Sequence, residues 1–266
     1  MATPFPLQFR NSSDSNIPHN ADPMPSPRFY CPARFAPGAT SPLPGNATHH
    51  ALHVLRMKTG DPLTLFNGDG FDYPGQILRI DKAGATAKIV GKLEVQCESP
   101  LLITLAQAIS ARERMDFTLQ KAVELGVACI QPLAAERSVV KLAGDKIERR
   151  REHWQNIVIS ACEQCGRAVV PEVLPPLPLA DWLGLKEEFA LKLMLSPTAQ
   201  YTLQDMTRPT GRICLLTGCE GGFSPQEQQT ATSCGFTEMR LGARVLRTET
   251  AALAALAAMQ VIWGDF

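Results

Sequence analysis

No apolar run in this 266-residue chain approaches the roughly 20 residues needed to cross a bilayer. Ala251 to Met259 is apolar but far shorter, and its alanine content reads as a packed helix. An excess of one charge is also missing. Lys plus Arg and Asp plus Glu number 26 each, so a nucleic-acid partner must be met by a local basic patch rather than by a global field. Met1 to Pro23 lacks the basic-then-apolar layout of a signal peptide; rich in Asn, Ser, Asp and Pro, it is expected to be disordered, with Met24 the true or an alternative start. Without a secretory signal, eight cysteines are expected to be reduced thiols in a cytoplasmic protein. Cys162 and Cys165 form a CxxC, but no second pair follows at zinc-finger spacing, and no metal constellation is expected. A GxGxxG and a Gly-Lys-Ser/Thr are both absent, which disfavours a dinucleotide oxidoreductase and a P-loop enzyme.

What is present suits two domains. From Arg28 to about Val95 short strands alternate with Pro- and Gly-rich turns, and Asn67-Gly68 signals a hairpin. A short helix over Ala47 to Met57 interrupts a unit that reads as a small β-barrel. Beyond Pro100 the rhythm changes. Apolar strands are expected over Leu101 to Ile109, Val127 to Leu133, Phe189 to Leu195, Arg212 to Thr217 and Thr237 to Leu241. Helices are expected over Arg114 to Leu125, Asp145 to Cys165, Pro225 to Cys234 and about Arg247 to Ile262. That alternation predicts a mostly parallel sheet with helices on both faces. The division is 1–23 extension, 24–96 barrel and 97–266 α/β domain.

The richest segment runs from Ile213 to Glu227, where an apolar strand enters Gly218, Gly221 and Gly222 and a helix opens at Ser224-Pro225. Ser224 with Glu227 three residues on predicts a capping box, with Pro225 at the first helical position. Either the glycines make a tight turn, or they let backbone approach a ligand at the carboxyl end of a parallel strand. A second strand ends in Leu241-Gly242 before a helix that Thr248 is expected to cap, with Arg244, Arg247 and Glu249 crowded between. A third ends at Leu195-Ser196-Pro197. Three loops delivered to one sheet edge suit one pocket.

These residues closely resemble the RsmE family of SPOUT methyltransferases, which methylate N3 of a uridine in small-subunit ribosomal RNA. The resemblance runs from Arg28 to the C-terminus, through Pro27 to Tyr30, His53 to Lys58, Gln120 to Val127 and Glu163 to Arg167. Its specific marks are Glu220-Gly-Gly-Phe223 and the run from Leu241 to Ala251. Where the family usually reads Gly-Pro-Glu-Gly-Gly, Cys219 replaces the proline, which loosens the loop.

The resemblance implies an α/β fold: a SPOUT-type trefoil-knot methyltransferase domain behind an N-terminal PUA-like β-barrel, assembled as a homodimer. It implies S-adenosylmethionine as cofactor, held by Leu195, Ser196, Thr217, Gly218, Glu220, Gly221 and Gly222 from two loops. Leu241, Gly242, Val245 and Leu246 would complete the grip from the third. The partner would be 16S ribosomal RNA or the assembled small subunit. Arg28 and Arg56 are candidate phosphate contacts, as is the Lys146 to Arg151 run unless it is simply a solvated helix face, and His49, His50 and His53 either contact RNA or do not. Methylation at N3 requires loss of its proton and stabilisation of the anion, for which Arg247 is the first candidate. Glu249 would either orient that arginine or take the proton, or else only complement the helix dipole. The rival readings are a non-catalytic RNA-binding protein with a degenerate knot and a SPOUT enzyme with another RNA target.

Overall fold

The computed structural model describes residues 26–138 and 146–266. The expected N-terminal extension and the helix start at Asp145 lie outside those residues. The first unit comprises β1 (Arg28–Tyr30), β2 (Thr40–Pro42), α1 (Gly45–His49), β3 (Pro62–Phe66), β4 (Phe71–Asp81), β5 (Gly84–Ile89) and β6 (Leu93–Glu94). Its strands follow the order β1-β3-β4-β5-β2, with β6 on β4. No ladder joins β1 to β2 among the described residues, but Cys31 Sγ, just past β1, lies 3.8 Å from Ser41 Oγ in β2. Side chains thus bring together the two ends that complete a barrel. Phe29, Leu65, Ala87 and Ile89 are fully buried inside it.

The hairpin signalled at Asn67 joins β3 and β4 through a four-residue turn, not two. Asn67 and Asp69 side chains accept the amides of Asp69 and Phe71, each at 3.1 Å, so the longer turn satisfies its own backbone. The helix expected over Ala47 to Met57 is shorter and changes character. α1 gives way to a π-helical turn, His50–Val54, in which the Leu55 amide donates to His50 O at 3.0 Å. Arg56 then takes φ +56°, which ends the helix.

The second unit contains β7 (Ile103–Ala108), α2 (Arg112–Glu124), β8 (Cys129–Ala134), α3 (Lys146–Cys165), β9 (Glu172–Val173), β10 (Leu177–Pro178) and α4 (Leu179–Gly184). It continues with β11 (Leu191–Leu195), β12 (Ile213–Thr217), α5 (Pro225–Ser233), β13 (Thr237–Met239) and α6 (Thr248–Trp263). Seven strands pair in parallel, in the order β10-β8-β7-β12-β11-β13 with β9 on β8. Successive residues of each strand feed opposite faces. Leu105, Leu193 and Leu215 pack with α2, α3 and α6, whereas Ala106, Met194 and Leu216 pack with α4 and α5. On α2, Met115, Leu119, Ala122 and Val123, at helical spacing along one face, are all fully buried.

The two units are pinned together by residues that the sequence left as separate marks. Arg28 pairs with Asp72 at 2.6 Å and donates to the carbonyls of Cys162, at 2.8 Å, and Arg167, at 3.3 Å. Glu163 accepts the Tyr30 amide at 3.0 Å, and burial raises the pKa of its carboxyl. Arg167 is 5% exposed; it forks onto Glu98 and donates to Val123 O and Val127 O, locking the linker to the end of α2. In the CxxC, burial pushes the Cys162 thiol up to about 12, far from the depressed pKa that a reactive pair needs.

Candidate active site

β12, β11 and β13 are neighbours in the sheet, so their carboxyl ends deliver three loops to one edge. Those loops and the start of α6 enclose a cleft of about 490 Å³. One wall is Leu195, Ser196 and Pro197, where the Ser196 amide donates to Met239 O at 3.0 Å and ties the β11 loop to β13. The second wall is Thr217 to Phe223. The third is Leu241, Gly242 and Arg244 to Thr248, with Ala251 one turn into α6. All eleven residues expected to hold a cofactor therefore line one cleft. Val245 does so while 82% exposed, at the rim rather than the floor.

The glycine loop is a tight turn in which the Gly222 amide donates to Cys219 O at 2.9 Å. Gly222 leaves the turn at φ +64°, a conformation that suits glycine. Cys219 is buried, and its thiol reaches Gly222 O at 3.6 Å. The chain thus closes locally the turn that a proline would have stiffened. α5 then starts on the expected capping box. The Ser224 amide donates to Glu227 Oε2 at 2.8 Å and the Glu227 amide to Ser224 Oγ at 3.3 Å, with Pro225 in the first turn.

α6 begins one residue earlier than a cap at Thr248 would place it. Arg247 occupies the N-cap position and Thr248 is the first helical residue, so Thr248 is not the cap. Its hydroxyl donates instead to Gly218 O, fastening the first turn of α6 to the glycine loop. The organiser of that contact is Gln107, fully buried on β7, which the sequence reading missed. Its Nε2 donates to Ala108 O at 2.9 Å and contacts Gly218 O and Thr248 Oγ1, each at 3.3 Å. Its Oε1 accepts the Thr217 hydroxyl. A glutamine inside an otherwise apolar strand was the available signal, because a buried amide must find partners.

Arg247 lines the cleft, and neither it nor Arg244 has an ion-pair partner among the described residues. Glu249 does not line it. One residue of helix turns a side chain by about 100°, so Thr248 and Ala251 face the cleft while Glu249 turns away. Of the roles left open for Glu249, orienting Arg247 finds no contact among the described residues, where Glu249 Oε2 is buried without a hydrogen-bond partner. Glu220 lines the cleft and also has a structural contact. Its Oε1 accepts the Ala111 amide at 2.9 Å and pairs with Arg114 at 3.1 Å, so its carboxylate braces α2. Arg114 and Gln228 also reach the cleft and carried no sequence signal. Arg28 stands in the joint between the units, its guanidinium already committed, while Arg56 is exposed on the first unit.

Comparison with known proteins agrees with this geometry. Residues 97–260 match the RNA methyltransferase domain family, and residues 43–90 match the RNA methyltransferase PUA domain family. The ribosomal RNA small subunit methyltransferase E of Buchnera aphidicola subsp. Schizaphis graminum is 38% identical over 239 residues, 90% of this chain and 97% of that protein. A putative methyltransferase from Legionella pneumophila, solved with bound S-adenosylmethionine, is 44% identical with a TM-score of 0.88, covering 91% of this chain and 99% of that one. The Neisseria gonorrhoeae ribosomal RNA small subunit methyltransferase E, also solved with S-adenosylmethionine, is 45% identical with a TM-score of 0.84 over the same shares. The architecture is therefore α/β, a SPOUT-type RNA methyltransferase domain behind a PUA-like barrel. Within that class, the chain belongs to the ribosomal RNA small subunit methyltransferase E family.

Proposed function

We propose that this protein methylates N3 of a uridine in 16S ribosomal RNA, using S-adenosylmethionine. The observation that carries the reading is the cleft where three parallel strands end, with an unpaired arginine at the start of α6 facing into it. The residues present fit the cofactor. Leu195, Leu241 and Leu246 offer apolar walls for an adenosyl group, and the glycine loop exposes backbone where side chains would obstruct it. When bound, S-adenosylmethionine supplies an electrophilic methyl group on a sulfonium. The protein's own part is to hold the base and to favour the N3 anion. Arg247, which has no ion-pair partner among the described residues, sets a guanidinium at the cleft and so stabilises negative charge as N3 gives up its proton to solvent. The tie from Gln107 through Thr248 to Gly218 fixes the helix start and the loop relative to one another, so that charge is held in place before the base arrives.

Three further readings belong to the same proposal. Residues 24–96 form the RNA-binding barrel and 97–266 the methyltransferase unit, a division supported by the change of sheet at the linker. The loops at the cleft form a trefoil knot, as the family resemblance implies, which fits their convergence on one cleft. The protein is a homodimer working in the cytoplasm; exposed Val261, Ile262 and Phe266 at the end of α6 offer an apolar surface for a second copy.

The test incubates purified protein with methyl-labelled S-adenosylmethionine and a small-subunit RNA transcript or isolated subunits, then maps the modified nucleotide. Label at N3 of one uridine is expected. Label on another base, or none on either substrate, contradicts the reading.

A further inference from the structure

The cleft carries more positive charge than its cofactor explains. Among the described residues, three arginines line it, Arg114, Arg244 and Arg247, and Glu220 is the sole carboxylate in the lining. The chain as a whole is neutral. S-adenosylmethionine itself bears a sulfonium and an ammonium against one carboxylate, so it is a net cation and gains nothing from crowding arginines. An anionic strand does.

Two arginines are anchored to consecutive residues of the glycine loop. Arg114, on the first turn of α2, meets Glu220 through Nη1 alone, and its side chain stays 42% exposed. The rest of its guanidinium fork has no partner among the described residues. Arg137, just beyond β8, is exposed and donates Nη1 to Gly221 O at 3.0 Å. A Cβ on Gly221 would come within 3.1 Å of Arg137 Cβ, so the missing side chain is what lets that arginine lie against the loop. Each arginine is held by one contact with most of its donors left over, the arrangement that suits bidentate capture of phosphate oxygens.

We infer that Arg114 and Arg137 form a phosphate clamp for the RNA strand flanking the target nucleotide, built on Glu220 and Gly221 of the glycine loop. The loop then has two jobs. Its backbone serves the cofactor, and the Glu220 carboxylate and the Gly221 carbonyl hold the two arginines. Glu220 is a positioning residue here: it aims Arg114 without consuming its donors. The inference rests on the RNA-methylating function proposed above.

The experiment measures binding of a small-subunit RNA transcript across a salt series for the full chain and for Arg114→Ala, Arg137→Ala, the double variant and Arg114→Lys. Affinity for S-adenosylmethionine is measured alongside by calorimetry. Each alanine change should weaken RNA binding roughly tenfold, the size of a lost charge-assisted hydrogen bond. Each should also flatten the slope of log affinity against log salt by about one. Arg114→Lys should keep the slope while recovering only part of the affinity, since a point charge replaces a fork. Cofactor affinity should change far less than RNA affinity in every variant. An unchanged salt slope in the double variant overturns the inference, as does loss of RNA binding that merely follows loss of cofactor binding. If the unaltered chain transfers no methyl group to this RNA, the functional reading itself fails, whatever the variants do.

Discussion

The closing helix α6 is held near both ends by a fully buried glutamine, and the two glutamines do different work. At the first turn, Gln107 reaches across from β7 to gather Thr217, Gly218 and Thr248 around the cleft. Near the last turn, Gln260 on α6 donates to Leu125 O at 2.8 Å and accepts the Ser99 hydroxyl at 2.9 Å. Gln260 therefore joins α6 to the end of α2 and to the linker between the two units. The chemistry is the same, a buried amide satisfied on both sides, yet one arrangement shapes a site and the other holds the fold. What separates them is only where the satisfied groups sit: on loops that must face a ligand, or on segments that never leave the core.

The comparison predicts different signatures. Gln260→Leu keeps the volume but removes the donor to Leu125 O and the acceptor of the Ser99 hydroxyl, whose oxygen still accepts the Leu101 amide at 3.1 Å. The two lost contacts cost about 1–4 kcal/mol, and the melting temperature of a chain this size should fall by roughly 2–12 °C. Turnover per folded molecule should hold. Gln107→Leu should cost a similar amount of stability, about 1–3 kcal/mol, because the buried Thr217 hydroxyl loses its partner while Gly218 O keeps the Thr248 hydroxyl. Its loss should appear in catalysis, with turnover down by up to about a hundredfold, the scale of a small misplacement of reacting groups. Thermal melts and single-turnover methylation on both variants separate the two roles. Equal losses of activity in both would erase the distinction drawn here.

These ties were also the least legible parts of the sequence. Strands and helices followed from apolar period and punctuation, and the capping box at Ser224 was readable residue by residue, because caps are local. The three loops at one sheet edge followed from strand alternation. Gln107 and Gln260 were not legible, because their partners lie 110 or more residues away for Thr217 and 161 for Ser99. The start of α6 was misjudged by one residue, and one residue was enough to turn Glu249 away from the cleft. Arg28 was read as a phosphate contact from its charge alone; its partners Asp72 and Cys162 come from elements far along the chain. Pattern gives the elements and the edge where a site forms, but long-range polar partners decide which side chains face it.

The central claim is that Arg247 supplies the charge that stabilises the deprotonated base. Single-turnover methylation of small-subunit RNA by Arg247→Ala, with cofactor affinity measured on the same preparation, tests it most directly. Turnover should fall on the order of a hundred- to a thousandfold, as for loss of one electrostatic donor to a transition state. Cofactor affinity should stay nearly constant, and Arg247→Lys should restore only part of the rate. Normal methylation by the alanine variant, or a failure that comes only from lost cofactor binding, would contradict the account and move the role to Arg244.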